Sequence, residues 1–161
     1  MQKLTLDERL NQIESKISEK SFRENKGLGN EVGYYVFDYD PRQEINVREY
    51  IKYLKDRINN GNKDFKIIEV DLFHLMIQIL QEEDYLDAFF ELEKENGFFD
   101  MADSLVETLG LDETDEQNLI ISHILQNDLT DSVLFLTGVG KCHPIIASHN
   151  ILNNTTYSSN S

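Results

Sequence analysis

Asp38 and Asp40 stand two residues apart in the run VGYYVFDYDP, and Asp71 closes the run KIIEVD. Residues two apart in an extended strand point to one face, so the first two carboxylates would project together. Ligands of open α/β folds bind outside the carboxyl ends of the strands, where all three acids would fall. Hard cations such as Mg²⁺ need clustered carboxylate oxygens, and such a cluster supports phosphoryl or phosphodiester hydrolysis. The competing reading is structural: Asp after a strand often caps the next helix or turns the chain, as Asp40-Pro41 suggests.

Gly138-Val139-Gly140-Lys141 follows a strand-like run and invites comparison with a phosphate loop, because glycines let backbone N–H groups approach an anion. The Walker pattern is incomplete: Phe135 stands where the first glycine belongs, and Cys142 replaces the hydroxyl residue. The dinucleotide pattern G-x-G-x-x-G fails at His143. A degenerate nucleotide-binding module using Gly138 and Gly140 is therefore a rival reading, and a tight strand-to-helix turn is the simpler one. Cys142 and His143 are adjacent, so their side chains rarely meet at one point as nucleophile and base. His74 and His123 show no metal-ligand spacing. Phe89-Phe90 and Phe98-Phe99 read as core and helix-packing groups, since the surrounding charge is acidic and would oppose a stacked nucleic acid.

The elements that would hold these residues follow from capping and periodicity. Thr5 and Glu8 have capping-box spacing, and Leu6, Leu10, Ile13 and Ile17 mark one apolar stripe, which predicts a helix over residues 6–19. Residues 25–30, NKGLGN, read as a loop. Residues 32–39 are β-branched and aromatic and stop before Pro41, as a buried strand would. Asn46 and Glu49 form a second capping-box-like pair, with helical periodicity from Val47 to Ile58 until Asn60-Gly61 ends it. A second strand follows over residues 65–71. Strand, helix and strand in this order predict a right-handed βαβ unit with parallel strands. Helices are expected over residues 72–81, 85–95, 99–109 and 113–127, then a third strand over 132–137. Pro144 would open a last helix reaching about Leu152.

The fold class expected is therefore α/β: a small parallel, Rossmann-like sheet of three or more strands. A helix-rich acidic insertion, residues 72–128, lies between the second and third strands. Residues 1–154 would form a single domain, and residues 155–161 a disordered polar tail without periodicity or charge. Three strands are few for so much helix, so a further strand would be expected after the last helix, where the sequence turns into Asn, Thr and Ser.

The 161 residues carry a formal charge of −15, and the imbalance is local. Residues 1–68 hold 13 basic and 12 acidic groups, residues 69–131 hold 18 acids and a single base, Lys94, and residues 132–161 hold one Lys and no acid. So acidic a segment repels phosphates, which argues against a direct nucleic-acid groove and favours a basic protein partner; the alternative is a charged helical exterior that only keeps the chain in solution. Within this segment Glu91, Glu93 and Glu95 form a compact candidate for partner binding. The lone cysteine excludes an internal disulfide and suits a reducing compartment. No signal-like start and no stretch near the ~20 apolar residues of a membrane helix are present, so a cytoplasmic location is expected.

Several runs carry a resemblance to a known family: LDERLNQIESKI, NKGLGNEVGYYVFDYDP, VREYIKYLKDRI, KIIEVDLFHLMIQIL and VLFLTGVGKCHPIIASHNILNN. Together they resemble the BrxB family of bacteriophage-exclusion (BREX) defence systems, from about residue 4 to residue 154. None of these strings is a catalytic signature. The resemblance implies a non-catalytic accessory protein of a multi-protein anti-phage complex, with no cofactor. It also implies the alkaline-phosphatase-like PglZ as direct partner, with the ATPase and DNA methyltransferase components as indirect ones. The chain departs from the family pattern at two points. TTYSSNS stands where family members continue into strand-like sequence ending in Pro-Gly, and Ala147 stands where the family tends to have arginine.

Overall fold

The computed structural model describes residues 3–24, 34–113, 117–143, 145 and 146. By internal contact the chain divides into two compact units, Met1–Ile68 with Leu129–Leu134, and Glu69–Asp128 with Phe135–Ser161.

In the first unit, helix α1, Leu6–Ser18, begins where its capping box places it. Thr5 Oγ1 accepts the amide N–H of Glu8 at 3.3 Å, and the Glu8 carboxylate accepts that of Thr5 at 2.8 Å. Two donors that a helix N-terminus leaves open are thereby satisfied. Leu10 and Ile17 bury one stripe of the helix. A single turn, α2, Lys20–Arg23, follows, and its Arg23 pairs with Asp64 at 2.9 Å while lying over the Phe65 ring. Asp40 caps a 3₁₀ turn, Pro41–Gln43, by accepting the Arg42 N–H at 2.9 Å, and this turn leads straight into α3, Glu44–Asn59. The helix thus starts ahead of Asn46 and Glu49, which lie inside it. Proline with its preset φ supplies the start instead. Helix α3 buries Val47, Leu54 and Ile58 and packs on α1, where Arg57 pairs with Glu14 at 3.3 Å.

Residues 34–40 run as chain without helix or strand, in place of the buried strand that the composition of residues 32–39 predicts. Residues 32 and 33 lie outside the described residues. Tyr34, Tyr35 and Val36 are exposed, Val36 by 63%. The segment is held instead by Arg9, whose guanidinium donates to the Asp38 carbonyl and lies 4.7 Å from the Phe37 ring centroid. Strand propensity expresses fit to a half-buried pleated surface, and these residues meet none.

Strands β1, Lys66–Asp71, and β2, Ser132–Thr137, lie where the sequence predicts them and form a two-stranded parallel sheet. Lys66 donates its N–H to the carbonyl of Asp131 at 3.0 Å, ahead of β2. Successive residues of a strand turn their polar groups to opposite edges, so Ile67 addresses the edge away from β2. The side chain of Asn59 takes that edge: its Oδ1 accepts the Ile67 N–H at 2.8 Å and its Nδ2 donates to the Ile67 carbonyl at 3.0 Å. A strand added beside β1 on that side would have to displace these two bonds. Among the described residues, 34–39 form no strand, so the βαβ unit expected from residues 32–39 and 65–71 is not seen. The helices between β1 and β2, read from sequence as an insertion, are the crossover connection that a parallel pair requires.

In the second unit that connection comprises α4, Leu72–Glu82, α5, Leu86–Asn96, α6, Phe98–Leu109, and α7, Leu119–Leu125. Leu72, Ile79, Leu80, Leu109, Ile120, Ile121 and Ile124 are fully buried. Gly97, at φ +91°, is the only residue between α5 and α6: its N–H donates to the Glu93 carbonyl and its carbonyl accepts the Met101 N–H. One residue thus ends one helix and begins the next, in a backbone conformation that favours glycine. Helix α7 is shorter than the expected 113–127. Buried Asn118 sets its start by accepting the N–H groups of Ile120 and Ile121 at 3.1 and 3.2 Å. After β2, Gly138 turns the chain into the single turn α8, Val139–Cys142. Pro144, residues 147–152 of the expected last helix, and the tail 155–161 lie outside the described residues. Among the described residues no helix is long and apolar enough to cross a membrane.

Candidate functional site

The three carboxylates singled out from sequence have separate local roles. Asp38 is exposed and contributes its backbone carbonyl to Arg9. Asp40 caps the 3₁₀ turn and binds Arg42 at 2.6 Å, and these hydrogen bonds hold its carboxyl below the usual range. Asp71 caps α4 by accepting the His74 N–H at 3.0 Å. Asp38 and Asp40 belong to the first unit and Asp71 to the second. Among the described residues no three His, Cys, Asp or Glu side chains gather as metal ligands would.

The glycine turn after β2 is built against one of these acids. Gly138 has φ +71°, and a Cβ there would lie 2.4 Å from Asp71 Oδ1 and 3.3 Å from the Phe73 nitrogen. Close approach to a carboxylate therefore accounts for the glycine, and an anion cradled by the turn would meet the negative charge of Asp71. Gly140 has open space around its Cβ position. Lys141 lies 5.9 Å from the Phe73 ring centroid. Cys142 is fully buried, and burial, with the nearby Asp71 charge, pushes its thiol up to about 11. It offers no thiolate near neutral pH. His123 is held between its own helix and α4, its Nδ1 at 2.8 Å from the Leu119 carbonyl and its Nε2 at 3.7 Å from Glu82.

An open cleft of about 630 Å³ in the first unit is lined by Lys3, Leu4, Thr5, Leu6, Arg9, Asp40, Arg42 and Gln43. Two of its three cations are engaged, Arg9 with the Asp38 carbonyl and Arg42 with Asp40.

The second unit presents its distinctive chemistry on α5 and α6. Glu91, Glu93 and Glu95 are all exposed, as are Asp87, Asp100, Asp103 and Glu107. Lys94 is the sole base in residues 69–131, and it lies 3.9 Å from Glu91. The acid is therefore surface charge with a single local counter-ion. The aromatic pairs divide. Phe89 is buried, as a core residue should be, whereas Phe90, Phe98 and Phe99 are 57%, 38% and 78% exposed. The acidic surroundings predict packing roles for all four. Helical periodicity could have separated Phe90 from Phe89, because neighbours on a helix lie about 100° apart.

Comparison with known proteins agrees with the resemblance. A family model described as "BREX protein BrxB" matches residues 68–160. The BREX protein BrxB of Bacillus cereus (strain H3081.97) is 44% identical over 149 residues, covering 92% of this chain and 76% of that protein. The BREX protein BrxB of Escherichia coli O9:H4 (strain HS) is 31% identical over 150 residues, covering 92% of this chain and 70% of that protein. No solved structure matches the chain. With two relatives above 30% identity and most of each chain aligned, this protein belongs to the BrxB family of BREX proteins.

Proposed function

We propose that the chain is a non-catalytic accessory subunit of a BREX-type anti-phage complex, working in the cytoplasm and binding another component through the acidic helices that follow β1. The observation that carries this reading is the exposed acid of α5 and α6, with Lys94 as its only base. A field of one sign steers a partner of the opposite sign and suppresses wrong partners, whereas it disfavours nucleic acid and anionic membrane alike. PglZ is the proposed direct partner, with the ATPase and methyltransferase components held through it. The roles of Asp40 and Asp71 as caps and of Gly138 as a close turn are consistent with a binding protein that needs no cofactor.

The test is purification of the tagged chain from its host, followed by identification of the chains that accompany it. PglZ in stoichiometric amount is the expected result. Its absence, with the other BREX components also missing, would overturn the reading.

A further inference from the structure

We propose that the α5–α6 hairpin docks a basic amphipathic segment of a partner protein, with Phe90 and Phe99 as the apolar anchors of the contact. This rests on the acidic-face reading above and deepens it, because charge alone names no contact point. Exposed apolar residues scattered singly are ordinary, but Phe90, Phe98 and Phe99 fall within ten residues on either side of a one-residue joint. Phe98 and Phe99 meet edge to face with centroids 5.8 Å apart. Phe99, at 78% exposure, is left almost wholly to water although α6 buries Met101, Ala102, Leu105 and Leu109 beside it. Aromatic side chains of this kind supply much of the energy at the centre of interfaces, while charge belongs to the rim.

The charge of these helices identifies the occupant. Glu91, Glu93, Glu95, Asp100 and Asp103 are exposed on the same two helices, and the one base, Lys94, lies near Glu91. A second copy of the chain would bring equal acid to the contact and be repelled, and so would a nucleic acid. Apolar side chains flanked by Lys or Arg complement both parts of the surface. The two parts also act on different rates: rim charge sets association, and buried anchors set dissociation.

The experiment uses the full chain and a labelled 18-residue Leu/Lys peptide with one apolar helical face, followed by fluorescence anisotropy and stopped flow. A permuted peptide of identical composition without that face is the comparison. Binding of the amphipathic peptide should be about tenfold tighter than that of the permuted one. Phe90→Ala with Phe99→Ala, and Phe99→Ala alone, should speed dissociation, about tenfold in the double variant, with the melting curve unchanged. Glu91→Gln, Glu93→Gln and Glu95→Gln together should slow association instead. Equal binding of the two peptides, or unchanged dissociation in the Phe variants, would overturn the inference. If the Gln variant still loses association in that case, the acidic-face reading survives alone; if it binds like wild type, both fall. A concentration-dependent dimer in sedimentation that the Phe substitutions abolish would assign the surface to a second copy and overturn the inference as well.

Discussion

The side-chain amide of Asn59 stands in for a neighbouring strand at Ile67, accepting its N–H at 2.8 Å and donating to its carbonyl at 3.0 Å. Ile67 is buried, so these two backbone groups have little access to water. Asn59→Ala should therefore cost roughly 2–3 kcal/mol, the order of two hydrogen bonds lost with their partners left buried. Asn59→Asp keeps the acceptor but sets a carboxylate oxygen against the Ile67 carbonyl, and it should destabilise the fold as well. Urea unfolding measures both; a loss below 0.5 kcal/mol for Asn59→Ala would mean that water replaces the amide without cost.

Gly138 and Gly140 should respond in opposite ways to alanine. At Gly138 the backbone is left-handed and the added Cβ would meet Asp71 Oδ1 at 2.4 Å, so Gly138→Ala should destabilise by about 2–4 kcal/mol, combining backbone strain with overpacking. At Gly140 nothing lies within 4 Å of the Cβ position, and alanine should be neutral or slightly stabilising. Equal effects in thermal unfolding would show that the turn is not set by Asp71.

Alkaline stability should depend on Tyr39. Partial burial and the hydrogen bond its hydroxyl donates to Glu44, at 2.6 Å, push the phenol up to about 12 from the ordinary 10.0. The folded chain thus keeps this proton to higher pH than the unfolded chain does. The resulting stability is fully present below about pH 10 and is lost as pH rises toward 12. Tyr39→Phe removes the titrating group, so its denaturation midpoint should fall less over that range than that of wild type. Parallel pH profiles would contradict the assignment.

The elements legible in the sequence are those fixed by local signals. Thr5 and Glu8 announce α1 within four residues, and the apolar runs of β1 and β2 are placed to within a residue. What depends on a distant partner was not legible. VGYYVFDY has strand composition, yet a strand exists only by pairing, and at Ile67 the outer edge of β1 is taken by an asparagine that looks in sequence like any helix-end residue. Helix α3 starts at Glu44, ahead of Asn46, because the 3₁₀ turn that Pro41 opens runs straight into it. At the candidate surface, the charge of Glu91, Glu93 and Glu95 could be counted from sequence, whereas the exposure of Phe99 depends on which face α6 buries.

Purified protein should neither hydrolyse nucleoside triphosphates nor cleave DNA with Mg²⁺ or Mn²⁺, given the capping roles of Asp40 and Asp71 and the carboxylate against the Gly138 turn. Turnover that disappears in Asp38→Asn or Asp71→Asn with the fold intact would restore the carboxylate chemistry.

The most direct measurement of the acidic face as a partner surface is the association rate with PglZ across a salt series, for wild type and for the variant with Glu91, Glu93 and Glu95 all changed to Gln. Screening shortens the reach of the field to about 8 Å at physiological ionic strength, so salt should slow wild-type association more than it speeds dissociation. The variant loses three charges while keeping good helix formers, and it should associate more slowly at low salt with a shallower salt dependence. Identical rates for the two proteins at every salt concentration would contradict the proposal and leave the acids as a solvated helix exterior.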